Sequence, residues 1–95
     1  MRDYELVAIV NPELDEDGVS QIVDKVTESI SGRGGEVEEV KRWGRKRLAY
    51  PIEKFMEAEY FHTRFKLNPR PVKELEAEMS GSGDILRYLV VKLND

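Results

Sequence analysis

The stretch Tyr60-Phe61-His62-Thr63-Arg64-Phe65-Lys66-Leu67 sets Phe61, Thr63, Phe65 and Leu67 against Tyr60, His62, Arg64 and Lys66 in strict alternation. Successive side chains of a strand point to opposite faces, so the segment reads as a half-buried β-strand with one face in a core. A helix entry follows it. In Asn68-Pro69-Arg70-Pro71 the prolines are tolerated in a first helical turn, and Asn68 can cap it. Val72, Leu75 and Met79 supply the buried stripe of that helix, and Ser80-Gly81-Ser82-Gly83 breaks it. Ile85 to Leu93 then returns as a strand, with Leu86, Tyr88 and Val90 on one face and Arg87, Leu89 and Val91 on the other.

Working back toward the N-terminus, Tyr4 to Val10 is short, apolar and closed by Asn11-Pro12, a strand followed by a turn. Leu6, Ala8 and Val10 share one face while Val7 and Ile9 share the other, so both faces ask for cover. Val19, Ile22, Val23, Val26 and Ile30 recur at helical spacing, with Asp15 as N-cap and Glu16 and Asp17 placed favourably against the helix dipole. That helix ends at Ser31-Gly32-Arg33-Gly34-Gly35. A long charged strand runs from about Glu36 to Ile52. Val40 has the parity of Leu48, Tyr50 and Ile52 but Val37 does not, which predicts a bulge or an irregular start. Glu53 to Glu59 has no strong turn chemistry, and nothing in the sequence shows what covers Phe55 and Met56.

The element order is strand, helix, strand, strand, helix, strand. This is the ferredoxin-like βαββαβ arrangement of the α+β class, expected as a single domain over residues 1–95. Right-handed crossovers place both helices on one face of a four-stranded antiparallel sheet. The reverse face is then expected to carry Val7, Ile9, Tyr60, His62, Arg64, Leu89 and Val91. An uncovered apolar strip on the two central strands implies a partner-protein surface.

Ninety-five residues allow one modest core. No apolar run approaches membrane-spanning length and no cleavable leader precedes the first strand, so the chain reads as cytosolic. Without cysteine there are no disulfides, thiolate metal sites or cysteine nucleophiles, and the single histidine leaves little for metal binding. No metal and no cofactor is expected. The formal net charge of −4 opposes a general nucleic-acid binder. Its distribution is more informative. Acidic residues gather at Glu13 to Asp17, Glu36 to Glu39 and Glu74 to Glu78, whereas Lys41 to Arg47 is a positive block broken only by Trp43 and Gly44. Such segregation attracts phosphate locally while the acidic remainder suits a basic partner.

That block continues into Gly44-Arg45-Lys46-Arg47-Leu48-Ala49-Tyr50-Pro51-Ile52. Leu48, Tyr50 and Ile52 share one face of an extended segment, and Pro51 confines this part to a sheet edge or strand end. Cations held at fixed spacing suit phosphate oxygens, although the same run also occurs at solvated strand ends. Trp43 and Tyr50 are open to two readings, stacking on a base or sugar, or packing at the edge. Other candidates dissolve. Glu13, Asp15, Glu16 and Asp17 lack the order of a calcium loop. His62 has no visible carboxylate partner and reads as a surface or partner-facing residue. Gly32 to Gly35 ends a helix where a phosphate loop would begin one. The chain is not expected to be an enzyme.

The Gly44 to Ile52 wording, the opening Met1-Arg2-Asp3-Tyr4-Glu5 with Asn11-Pro12, and the ending Ile85-Leu86-Arg87-Tyr88-Leu89-Val90-Val91-Lys92 resemble the bacterial small-subunit ribosomal protein S-six family. The resemblance implies a ferredoxin-like ribosomal constituent in the cytoplasm. It implies pairing with the basic ribosomal protein S-eighteen and binding, together with it, to the central domain of the small-subunit ribosomal RNA, in the platform. Carried onto this chain it points to Arg45, Lys46, Arg47 and Tyr50, and to Arg2, Arg87 and Lys92 on the terminal strands. Arg42 joins them as a backbone contact. No long tail follows Asp95, unlike some members. Two other readings stand beside this one: a small enzyme of the acylphosphatase kind, for which Asn11-Pro12-Glu13-Leu14-Asp15 is acidic where an anion cradle is needed, and a regulatory domain that self-associates through the open sheet. The leading reading expects an isolated chain that is monomeric.

Overall fold

The alternation at Phe61 to Leu67 lies in the middle of the sheet of the computed structural model, which describes residues 1–93. The elements are β1 (Arg2–Val10), α1 (Glu16–Gly32), β2 (Glu36–Ile52), β3 (Phe55–Leu67), α2 (Pro69–Ser80) and β4 (Ile85–Lys92). The sheet order is β2-β3-β1-β4 and every neighbouring pair is antiparallel, the ferredoxin-like fold. The reading of the chain end at Asp95 lies outside the described residues.

Two apolar stripes meet to make the core. Tyr4, Leu6, Ala8 and Val10 of β1 lie beside Phe61, Thr63, Phe65 and Leu67 of β3, in the register Leu6 opposite Thr63 and Ala8 opposite Phe61. Over them pack Ile22, Val23, Val26 and Ile30 of α1 and Val72, Leu75 and Met79 of α2. Each fully buried Phe or Leu stabilises the fold by roughly 1.5–3 kcal/mol. Asp15 caps α1 as expected, its Oδ1 accepting from the Gly18 N–H at 2.7 Å. Arg33 at the other end reaches Ser29, Glu74 and Glu78 and ties α1 to α2.

Several expectations are corrected. Asn68 occupies the N-cap of α2, but its side chain makes no capping hydrogen bond. Ile85, and not Leu86, packs on the core with Tyr88 and Val90, because a register shift after Ile9 leaves Leu86 as the extra residue. β4 is an edge strand, so the apolar strip runs from half-buried Val7 and Ile9 on central β1 to exposed Leu89 and Val91 at that edge and is not confined to the two central strands. β3 starts at Phe55, well before the alternating stretch. Ile52 pairs with Phe55 across a two-residue connection, Glu53-Lys54, in which Glu53 takes a left-handed φ of 55°. Glycine or asparagine adopts that conformation more readily, which is why the sequence carries no hairpin signal there. Phe55 is half-buried with the Lys54 ammonium 5.8 Å from its ring centre, while Met56 stays exposed.

The expected bulge in β2 is present between Val37 and Glu39, and further register shifts follow between Arg42 and Gly44 and between Arg47 and Ile52. Where α1 gives way to β2, Gly35 is pressed against β3. A Cβ there would meet the Lys66 carbonyl oxygen at 2.6 Å and the Ile30 and Leu67 side chains at 2.8 and 2.9 Å. Gly35→Ala should therefore lower stability by about 1–3 kcal/mol in urea denaturation. Gly32→Ala, which meets nothing within 4 Å, should be neutral or stabilising by up to about 1 kcal/mol. Equal effects from the two would show that backbone crowding at Gly35 is not limiting.

Candidate nucleic-acid and protein interface

β2 is the carrier of the positive block, and its pairing with β3 decides which way each cation points. Residues directly opposite in an antiparallel pair share a face. Arg42 lies opposite Phe61 and so faces the helices. There its guanidinium grips both carboxylate oxygens of Glu16, with Nη2 to Oε2 at 3.1 Å, and reaches the Ser20 hydroxyl. Hydrogen bonding to Arg42, and then its charge, hold the Glu16 carboxyl below the usual glutamate range. Arg45 lies opposite Glu59, and its Nη2 donates to the Pro12 carbonyl at 2.7 Å. Arg42 thus braces β2 against the start of α1, and Arg45 braces it against the turn that follows β1.

Lys46, opposite Ala58, and Arg47, opposite Glu57, are exposed and make no ion pair or side-chain hydrogen bond among the described residues. Beyond them the ladder is irregular. Leu48 to Pro51 stand against the single residue Met56, a break to which Pro51 contributes by lacking an N–H. Leu48 and Ile52 are half-buried, but Tyr50 is 83% exposed. The even alternation expected for Leu48, Tyr50 and Ile52 is thereby corrected, and the cations are fastened by the β2-β3 hairpin instead of by a buried apolar face. The remaining candidates lie elsewhere. Arg2, opposite Leu67, and Lys92, opposite Tyr4, sit at the end of the sheet remote from the hairpin tip. Arg87, opposite Ile9, projects from β4 onto the face away from the helices. The structure brings Arg45, Lys46, Arg47 and Tyr50 onto one hairpin and does not bring Arg2, Arg87 or Lys92 to it.

The face opposite the helices is arranged in rows across the strands. His62, Val7 and Leu89 form one row, Tyr60, Ile9 and Arg87 the next, and Arg64, Glu5 and Val91 a third. Leu89 is 60% exposed and Val91 is exposed as well, although both are large and apolar. His62 does have a carboxylate neighbour, contrary to expectation. Its Nε2 is 3.3 Å from the Glu5 Oε2, a cross-strand diagonal invisible without the register. Trp43, like Tyr50, is a residue that sequence reasoning left undecided. It is the extra residue between Arg42, opposite Phe61, and Gly44, opposite Tyr60, and its ring lies over Tyr60 and His62. Gly44 has φ 78°, and a glycine of that kind inside a strand is the bulge signal that could have placed Trp43 on this face.

No group of three or more His, Cys, Asp or Glu side chains among the described residues could hold a metal ion, and no helix is long and apolar enough to cross a membrane. After β1, Asn11 Oδ1 accepts from the Glu13 N–H at 2.8 Å and Asp15 caps α1, so carboxylate and amide oxygens take the donors that an anion cradle would offer.

The family model for ribosomal protein S6 matches residues 3–92. The chain is 43% identical over 95 residues to small ribosomal subunit protein bS6 of Heliobacterium modesticaldum, covering 100% of this chain and 99% of that one. It is 38% identical over 95 residues to the protein of the same name from Moorella thermoacetica, covering 100% and 97%. Among solved structures, 30S ribosomal protein S6 from Thermotoga maritima matches with a TM-score of 0.93 at 29% identity, over 97% of this chain and 87% of that one.

Because Glu16 is held ionised by Arg42, its contribution to stability is fully present above the unfolded glutamate pKa and is lost as pH falls through the lowered folded value. Glu16→Gln should therefore destabilise the chain at neutral pH, and the gap from the unaltered protein should close in acid. Denaturation midpoints across that range check it; a gap that stays constant with pH would remove the ion pair as the cause.

Proposed function

Because the chain belongs to the ribosomal protein S6 family, we propose that it is a structural constituent of the small ribosomal subunit that docks a basic partner protein on its open sheet face and contacts ribosomal RNA with the β2-β3 hairpin. It is not an enzyme, and as part of the ribosome it is cytoplasmic. The partner in this reading is ribosomal protein S-eighteen and the RNA is the central domain of the small-subunit RNA, in the platform. One observation carries the proposal: exposed Leu89 and Val91 on β4, beside half-buried Val7 and Ile9 on β1, line a sheet face that the chain's own helices leave bare, while Lys46 and Arg47, with no side-chain partner among the described residues, stand on the hairpin.

The division of labour follows from charge. A chain of net charge −4 binds phosphate poorly as a whole, so a basic partner supplies much of the neutralisation and the hairpin adds a local contribution. Arg45 and Arg42 support this indirectly, by fixing the strand that carries the free cations. Arg2, Arg87 and Lys92 serve as outlying contacts, with Arg87 at the rim of the partner face. Covering a few hundred Å² of the apolar strip would stabilise the complex by roughly several kcal/mol at about 25 cal/mol per Å², before association costs.

Two measurements separate the two surfaces. Lys46→Ala with Arg47→Ala should flatten the slope of log K against log salt for RNA binding in the partner's presence, by about 0.7–0.9 for each phosphate no longer neutralised. An unchanged slope would exclude the hairpin. Leu89→Asp should weaken partner binding by tenfold or more without RNA, as a charge forced into an apolar contact must, and leave the isolated chain folded; unaltered partner affinity would exclude the open face.

A further inference from the structure

Trp43 is placed by a bulge, on the strand that carries the positive block, and on the face that the helices do not use. Its ring lies near-parallel to His62, with centroids 5.7 Å apart and planes 10° apart, and to Tyr60, at 6.3 Å and 14°. Two rings beneath it fix its plane. The indole is nevertheless 46% exposed, a large flat apolar surface presented to solvent. On either side along β2, Lys41 lies opposite His62 and Lys46 lies opposite Ala58, so both flank Trp43 on the same face. Lys41 has only an exposed ion pair with Glu39, at 3.7 Å, and Lys46 has none among the described residues.

We infer that Trp43 is a stacking platform for an unpaired base of RNA, with Lys41 and Lys46 receiving the flanking phosphates; this rests on the RNA-binding reading above. A held aromatic plane accepts the face of any base and loses little freedom in doing so, and cations spaced on either side match a backbone that runs past the stacked base. A base-paired duplex offers no such face away from its ends. The same arrangement divides the open sheet. Trp43, Tyr60 and His62 with their lysines form the RNA half along β2 and β3. Val7, Ile9, Leu89 and Val91, without lysines among them, form the protein half along β1 and β4.

The chain contains one tryptophan, so its intrinsic fluorescence reports Trp43 alone. The full chain at low salt is titrated with a dye-labelled single-stranded RNA oligonucleotide and with a blunt RNA duplex of equal length, reading anisotropy and tryptophan emission together. Quenching should follow the anisotropy with the single strand and be weak with the duplex. Trp43→Ala should reduce single-strand affinity by roughly 5- to 150-fold and Trp43→Phe should retain most of it, with thermal melts confirming that both fold. An anisotropy rise without quenching, or unchanged affinity in Trp43→Ala, overturns the platform while leaving RNA binding intact. Absence of any anisotropy rise, with the basic partner protein added as well as without it, overturns both. Burial of Trp43 by the basic partner protein without RNA, seen as a blue shift of its emission, assigns the indole to the protein half and also overturns the platform.

Discussion

The antiparallel pairing of β1 with β3 is the constraint on which the rest depends. Leu6 opposite Thr63 and Ala8 opposite Phe61 put the apolar parities of both strands on one side, where α1 and α2 cover them. A slip of one residue would expose Phe61 and Phe65 and turn His62 and Arg64 into the core. Because this register is anchored by residues that are almost fully buried, the opposite face is fixed with equal certainty. Val7 and Ile9 are carried to it by geometry, whatever their own affinity for water.

That inheritance explains how an acidic protein presents two different surfaces. β2 is long and charged because it is an edge strand, and most of its length lies outside the core. Its arginines at 42 and 45 are engaged by α1 and by the Pro12 carbonyl, so the number of cations in the sequence overstates what a phosphate meets. Among the described residues, Lys46 and Arg47 on the hairpin have no side-chain partner, and Lys41 on the open face has only its exposed pair with Glu39. β4, at the other edge, is apolar on both sides and carries the exposed Leu89 and Val91. A cation-bearing edge and an apolar edge are thus separated across the width of one sheet, as the proposed division between RNA and a partner protein requires.

Much of this was legible in the sequence because it follows from period. The helical stripes Val19 to Ile30 and Val72 to Met79, the alternation Phe61 to Leu67, and the open-face set Val7, Ile9, Tyr60, His62, Arg64, Leu89 and Val91 depend only on spacing and on right-handed crossovers. What escaped depends on register and on unusual backbone. The Glu53-Lys54 connection hid the first part of β3 because a glutamate occupies a left-handed position. The bulge at Trp43 and the irregular pairing after Arg47 shift which residues share a face, so the alternation Leu48-Tyr50-Ile52 did not survive and the stacking of Trp43 on Tyr60 and His62 was not foreseen. The partnerships of His62 with Glu5 and of Arg42 with Glu16 cross between elements far apart in sequence, and a linear reading has no means to pair them.

The central claim is that helices shield one side of this sheet while the other receives a second molecule. Hydroxyl-radical footprinting of the chain, free and within assembled small ribosomal subunits, tests it most directly. The account predicts that Val7, Ile9, Leu89 and Val91 lose reactivity on assembly while the outward residues of α1 and α2 keep theirs. Protection of the helices with the sheet face still reactive would contradict it.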